Sequence, residues 1–188
     1  GRDFEPTNSG YALAKFTVSE ALKLLEQQTD IAVTTLIPSN IYGPGDCYDD
    51  DRSHVMAALI KKFVAAKVEE TSCTIWGNGK AIREFIYVDD IADAVLFCIQ
   101  SRELIDKFAY LNVGSGTGVS IQQLALMIAG NVGFEGSIEY DFSKPDGVYD
   151  KTMDISRLSQ LGWSPKYSLE KGIQAAVSDY IETVNRSS

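Results

Sequence analysis

The sequence predicts an α/β fold. Short β-branched or aromatic runs alternate along the chain with longer segments of helical periodicity, the pattern of strands layered against helices. Glycine- and proline-rich breaks separate these segments, and no internal repeat or low-complexity tract interrupts them. With 188 residues, 45% of them hydrophobic, the chain can bury a sizeable core.

Residues 10–28 read as a helix, with Asn8 or Ser9 as its N-cap. Ile31 to Ile37 (IAVTTLI) is a β-branched apolar run, which predicts a buried strand. PSNIYGPGD then breaks regularity with two prolines and two glycines, and Asp49-Asp50-Asp51 continues a polar loop. Ser53 to Lys67 is expected to be helical, with Val55, Met56, Leu59 and Phe63 as its apolar stripe. Thr74 to Gly79 and Arg83 to Val88 read as two strands around a glycine-rich turn, followed by a helix from Asp89 or Asp90 to about Ser101. Strands at Phe108–Val113 and Ser137–Asp141 flank a helix at Ser120–Val132. Ile155–Leu161 and Leu169–Val184 are the last helices.

The net charge is −9, which argues against a general nucleic-acid binder. An anionic ligand would need a basic pocket set against that field. No stretch approaches the roughly 18 apolar residues of a membrane helix, and no basic-then-apolar leader is visible. The three cysteines, Cys47, Cys73 and Cys98, are odd in number and far apart. They form no CxxC pair and have no metal spacing, so no metal site is expected and a reduced, cytoplasmic setting fits. The acidic loop of Asp46, Asp49, Asp50 and Asp51 does not match a calcium loop and reads as solvated surface.

The first chemical signal is SGYALAK. On a helix, Tyr11 and Lys15 lie one turn apart on one face, and the same face continues through Val18, Leu22 and Leu25 toward an interior or a cleft. An ammonium beside a phenol stabilises the phenolate, and such a pair serves as a proton donor at neutral pH. The same spacing also describes a half-buried tyrosine beside a snorkelling lysine. Asn112-Val113-Gly114-Ser115-Gly116-Thr117-Gly118 imitates a dinucleotide fingerprint, with Glu139 a little downstream, but its GxGxG spacing lacks the third glycine of GxGxxG.

YALAKFTVSEAL, PSNIYGPGD, SHVMAALIKKF, WGNGKAIREFIYVDDIADAV, LNVGSGTGVSI, SKPDG and DISRLSQLGW occur in this order. Together they resemble the GDP-L-fucose synthase family, a branch of the extended short-chain dehydrogenase/reductases that act on nucleotide sugars. The resemblance runs from about Glu5 to Tyr180. It implies the C-terminal portion of such an enzyme: residues 1–45 as the remnant of the NADP-binding Rossmann domain, with its last helix and strand, and residues 46–188 as a mixed α/β nucleotide-sugar substrate-binding domain, part of which crosses back to the Rossmann sheet.

The resemblance assigns roles. Tyr11 would protonate the sugar oxygen while NADPH delivers hydride to the C4 ketone, and Lys15 would hold the nicotinamide ribose. Pro38, Ser39, Asn40 and Ile41 would line the nicotinamide end. His54 would act as general acid for epimerisation at C3 and C5, near the cofactor. Histidine suits that task chemically, because epimerisation beside a ketone needs proton carriers near neutrality; on its own, His54 also reads as an ordinary exposed residue in a helix's first turn. Lys62, Trp76, Arg83 and Asp146 would hold the GDP-sugar. Lysine stands at position 62 where the family usually has arginine, which keeps the charge and loses the bidentate fork. Lys62 equally fits a solvated charge, and Trp76 a packed core residue.

Only ten residues precede Tyr11, whereas a Rossmann half with its GxxGxxG loop, plus the units that follow it, would need on the order of 120. NADP(H) is therefore expected to bind mostly to a missing N-terminal segment, which would also carry the catalytic serine and the cysteine partner of His54. This chain alone is expected to be inactive, to expose apolar surface on the Tyr11 helix and the following strand, and to form a homodimer through that helix. Another nucleotide-sugar epimerase, dehydratase or reductase, and a non-catalytic nucleotide-sugar binding module, are the alternatives.

Overall fold

The computed structural model describes residues 9–50, 52–144 and 147–187. Helix α1 (Ser9–Gln28) leads into β1 (Thr35–Pro38) and, after Ser39, β2 (Asn40–Tyr42). Helix α2 (Val55–Glu69), β3 (Cys73–Trp76), β4 (Ile82–Tyr87), α3 (Val88–Gln100) and a short α4 (Arg102–Ile105) follow. The chain then runs through β5 (Tyr110–Val113), β6 (Gly118–Ser120), α5 (Ile121–Val132), β7 (Ile138–Asp141), β8 (Asp150–Lys151), α6 (Ser156–Gln160) and α7 (Leu169–Ser187). Among the described residues, no helix is long and apolar enough to cross a membrane.

Strand β4 lies between two cores. Successive side chains of a strand face opposite ways, so Phe85 and Tyr87 enter one core while Ile86 enters the other. The first core packs α2, α5 and α7 together through Met56, Ile60, Phe63, Leu124, Ile128, Ile173 and Val177. Each large apolar side chain buried there contributes about 1.5–3 kcal/mol. The second core joins β4 and β5 to α3 and α6 through Ala94, Leu111, Val113, Leu158 and Trp163. Helix α5 begins with a capping box: Ser120 Oγ accepts from Gln123 N at 3.1 Å, and Ser120 N donates to Gln123 Oε1 at 3.0 Å. It ends at Gly133 in the left-handed region, φ 68°.

Parallel pairing dominates. β1 pairs with β5, β2 with β4, and β3 with β7, all parallel, while β6 adds to β4 antiparallel and β8 pairs with it parallel. The two strands around the glycine-rich turn exist but do not pair with each other; each finds a partner far along the chain. β2 lies inside the PSNIYGPGD segment that reads as irregular in the sequence.

The expected buried strand at Ile31–Ile37 is corrected. The strand is Thr35–Pro38, and only one side of its pleat is covered: Leu36 packs on the second core, whereas Ile31 and Ile37 are exposed. A parallel strand is buried when both faces are covered, and among the described residues β1 has β5 as its one strand partner. Helix α1 likewise has no buried residue. It is tied to the body by Tyr110 Oη donating to Glu20 Oε1 at 3.1 Å and by Val33 N donating to Glu26 Oε1 at 3.0 Å. Its stripe of Tyr11, Val18 and Leu25 is exposed, because no described element packs over that face; the helix and strand thus show the apolar surface expected of this chain by itself, and not the covered face that the spacing alone suggests. The possible N-cap Asn8 lies outside the described residues.

Candidate functional site

A cavity of about 310 Å³ opens between the first turns of α2 and the ends of β3 and β4. Its walls include Ser53, Ala58 and Lys62 from α2 and its lead-in, Trp76 from β3, and Arg83 from β4. Three residues that the sequence marks as substrate contacts, Lys62, Trp76 and Arg83, thus meet at one opening although they are spread over separate elements.

The register of β3 explains Trp76. Cys73 and Ile75 point into the core while Thr74 and Trp76 point out, leaving the indole 63% exposed. The packed-core alternative for Trp76 is therefore excluded. Lys62 is not a freely solvated charge either. Its Nζ donates to Thr74 O at 3.1 Å and stands 4.8 Å from the centre of the Trp76 ring. Arg83 Nη1 donates to Val148 O at 2.7 Å, so the guanidinium is fastened to the chain just beyond the KPDG stretch. Asp146 itself lies outside the described residues, as does Asp51 of the acidic loop.

Two residues were not legible in the sequence, one beside the Trp76 ring and one on the opposite face of β4. Lys144 Nζ lies 5.4 Å from the Trp76 ring centre, so a second ammonium shares that ring. Glu84 follows Arg83 on β4 and is 0% exposed. Its Oε1 accepts from Gly116 N at 2.8 Å and its Oε2 from Met153 N at 2.6 Å. This buried carboxylate accounts for the GSGTG loop. A Cβ at Gly114 would stand 2.0 Å from Glu84 Oε1, and one at Gly116, where φ is +70°, would meet Ile155 at 2.9 Å. Those glycines permit close packing of their own chain, which is a structural use of the motif.

His54 is the N-cap residue of α2, with extended backbone at φ −80° and ψ 166°. Its side chain makes no capping bond and is exposed, one residue from the cavity wall at Ser53. The start of α2 adds the partial positive charge of a helix N-terminus to this opening. Lys62, Arg83 and Lys144 add full charges, so the region is cationic in a chain of net charge −9.

Tyr11 and Lys15 do not line this cavity. They pair with each other on α1, with Lys15 Nζ 5.5 Å from the Tyr11 ring centre and the ring 69% exposed. Between β1 and β2, Ser39 N donates to Val113 O at 2.9 Å and Asn40 Nδ2 to Glu84 O at 2.7 Å. The Ser39 hydroxyl is buried without a hydrogen-bond partner among the described residues, and Pro38 and Ile41 beside it are exposed. An orphaned hydroxyl flanked by exposed apolar residues suits the polar edge and flat face of a nicotinamide, so these residues fit that end of a dinucleotide. In the acidic loop, Asp50 pairs with Lys61 at 2.7 Å and Asp49 with Arg52 at 3.5 Å.

A model of the NAD dependent epimerase/dehydratase family matches residues 2–114. A relative from Oryza sativa subsp. japonica, described as a probable GDP-L-fucose synthase 1, is 39% identical over 181 residues, covering 96% of this chain and 54% of that protein. The GDP-L-fucose synthase of Escherichia coli strain K12 is 34% identical over 189 residues, covering 97% of this chain and 59% of that protein. The crystal structure of a GDP-L-fucose synthetase from Naegleria fowleri bound to NADP superposes with a TM-score of 0.84 at 27% identity, over 97% of this chain and 59% of that one. The chain spans about half the length of the curated relatives it matches.

Proposed function

We propose, from the premise that the chain belongs to the NAD dependent epimerase/dehydratase family, that it carries the proton-donor helix and the substrate side of an NADPH-dependent epimerase/reductase that converts GDP-4-keto-6-deoxymannose to GDP-L-fucose. The observation that carries this reading is the cavity where Lys62, Trp76 and Arg83 converge. Two cations and an exposed indole at one opening match a nucleoside diphosphate, which needs charge for its phosphates and an aromatic face for its base. The names of the relatives from rice and Escherichia coli support guanine and fucose as the finer identities.

The chemistry then divides among this chain's residues. A bound nicotinamide supplies hydride to the C4 carbonyl carbon. Tyr11 donates its phenolic proton to the carbonyl oxygen, and the Lys15 ammonium one turn away stabilises the charge that remains. Pro38, Ser39, Asn40 and Ile41 shape the nicotinamide end, where the unpartnered Ser39 hydroxyl is the available polar group. His54, exposed at the start of α2, exchanges protons at the carbons beside the ketone. In this reading residues 1–45 belong to the dinucleotide-binding domain and 46–188 to the substrate domain, with β5 crossing back to pair with β1.

The apolar surface of α1, including Leu13, Phe16 and Leu24, supports a homodimer through that helix. The free thiols Cys47, Cys73 and Cys98 support a reducing, cytoplasmic setting. Calorimetric titration of this chain with GDP, UDP and NADPH in turn tests the assignment. Binding of GDP in preference to UDP and NADPH is expected. Preference for UDP would overturn the base assignment, and tight NADPH binding would overturn the division of labour.

A further inference from the structure

Trp76 is held in a way that the nucleotide-sugar reading does not require. Two ammonium groups, Lys62 Nζ and Lys144 Nζ, stand 4.8 and 5.4 Å from the centre of its ring. A cation over an indole face is attracted by the ring's electron density. It also occupies the surface a nucleobase would stack on. Both lysines belong to one electrostatic cluster around Asp141. Phe142 to Lys144 turns back on that residue: Ser143 N and Oγ donate to Asp141 Oδ1 at 3.0 and 2.6 Å, and Lys144 N donates to Asp141 O at 3.3 Å. The hydrogen bonds from Ser143 hold the Asp141 carboxyl below its usual range, burial opposes them, and the charges of Lys144 and Lys62 add to the lowering. Lys144 is thereby anchored at its backbone while its ammonium reaches the ring at the cavity mouth.

We propose that Lys144 is a third phosphate-binding cation of this site beside Lys62 and Arg83, and that Lys62 and Lys144 occupy the Trp76 ring as place-holders which a nucleoside diphosphate displaces. The base takes the ring face, and the released ammonium groups turn to the diphosphate. The inference rests on the nucleotide-sugar reading for its ligand class. The ligand feature that drives the exchange is the phosphate charge: each ammonium gives up a weak cation–π contact for a charge-assisted hydrogen bond, roughly twice as strong as a neutral one, and Lys62 has two further N–H donors beside the one held by Thr74 O.

This arrangement makes the effect of removing Lys144 opposite for charged and uncharged ligands. Lys144→Gln loses a phosphate contact, so affinity for GDP and for inorganic pyrophosphate falls about three- to tenfold. Guanosine, which carries no phosphate, meets a ring with one competitor fewer, so its affinity holds or rises up to about fivefold. Lys144→Arg keeps the charge and keeps GDP affinity.

The experiment is a ¹⁵N–¹H spectrum of the two tryptophan indole groups during titration of this chain. The chain has two tryptophans, and Trp163 is an internal reference because its Nε1–H donates to Asp93 Oδ2 at 3.0 Å in the second core. Pyrophosphate alone is expected to shift the Trp76 signal and leave Trp163 in place, with the stated changes in Lys144→Gln. GDP binding undiminished in Lys144→Gln overturns the inference while leaving the nucleotide-sugar reading intact. Parallel losses for GDP and guanosine also overturn it, because they mark a structural role. A Trp76 signal unmoved by pyrophosphate, GDP and UDP overturns it as well; calorimetric heat with GDP then shows whether the wider reading survives. Equal affinity for GDP and UDP, with the Lys144 effects present, upholds the inference and removes guanine from the wider reading.

Discussion

Replacing Glu84 by alanine is expected to cost about 3–5 kcal/mol of stability. The carboxylate is 0% exposed and accepts from two main-chain donors, Gly116 N and Met153 N. Leaving each donor without its acceptor costs about 1–2 kcal/mol, with Gly116 nearer solvent and toward the lower figure. The space vacated by the side chain adds about 1 kcal/mol. Glu84→Gln keeps the volume and one acceptor oxygen but turns an amide N–H₂ toward the other donor, so it is expected to cost about 1–2 kcal/mol. With a urea m-value of about 2 kcal/mol/M, alanine lowers the midpoint by about 1.5–2.5 M and glutamine by about 0.5–1 M.

Gly114 supplies an independent test of the same contact. A Cβ there would stand 2.0 Å from Glu84 Oε1, so Gly114→Ala must push the carboxylate away from its donors. Gly114→Ala is therefore costly in the native background and nearly neutral once Glu84 is alanine, with a coupling of more than about 1 kcal/mol. An alanine midpoint shift below about 0.5 M, or additive costs in the double variant, would refute the clamp.

Lys62→Arg restores the fork that suits phosphate, and is expected to raise GDP affinity about three- to tenfold by calorimetry; a loss of affinity would count against Lys62 as a phosphate contact. Gly172→Ala places a Cβ 2.0 Å from Tyr42 Oη and must displace a ring packed edge-on against Phe85 and Tyr87. About 2–3 kcal/mol of overpacking is expected, read as a fall in Tm of about 5–10 °C, and an unchanged Tm would refute it. Asp93 is held below its usual carboxylate pKa chiefly by the hydrogen bond from Lys166, with burial opposing and the Trp163 indole N–H adding to the lowering. A depressed folded-state pKa means that this stabilisation is present above the unfolded value near about pH 4 and is lost as pH falls below it. Asp93→Asn should therefore narrow the gap in urea midpoint between pH 7 and pH 2, and an identical gap in both proteins would count against the contact.

The elements that were legible in the sequence are those whose signal is local. Residues Ser120 to Val132 carry both a capping box and a 3.6-residue stripe, and α5 forms there almost to the residue. β2, β6 and β8 have two or three residues each and exist because β4 offers them an edge, which nothing within a short window records. The same holds for the pairing of β3 with β7 instead of β4: partners more than 60 residues apart leave no mark on either segment.

The site divides along the same line. Trp76, Lys62 and Arg83 stand out because each belongs to a recognisable stretch, and the fold gathers those stretches at one cavity. Glu84 was hidden in the same motif as Arg83, because its importance lies in two donors 32 and 69 residues away. An acidic residue between an arginine and a phenylalanine in a strand reads as half-exposed, yet here the pleat turns it inward beside Ile86. Lys144 was hidden for the reverse reason. It is an exposed lysine in a polar turn, and its meaning comes from a ring that β3 delivers from 68 positions earlier in the chain. A carboxylate facing inward and a lysine lying over a ring thus carry what residue type alone does not record, because main-chain donors reach the first and the second reaches an aromatic face.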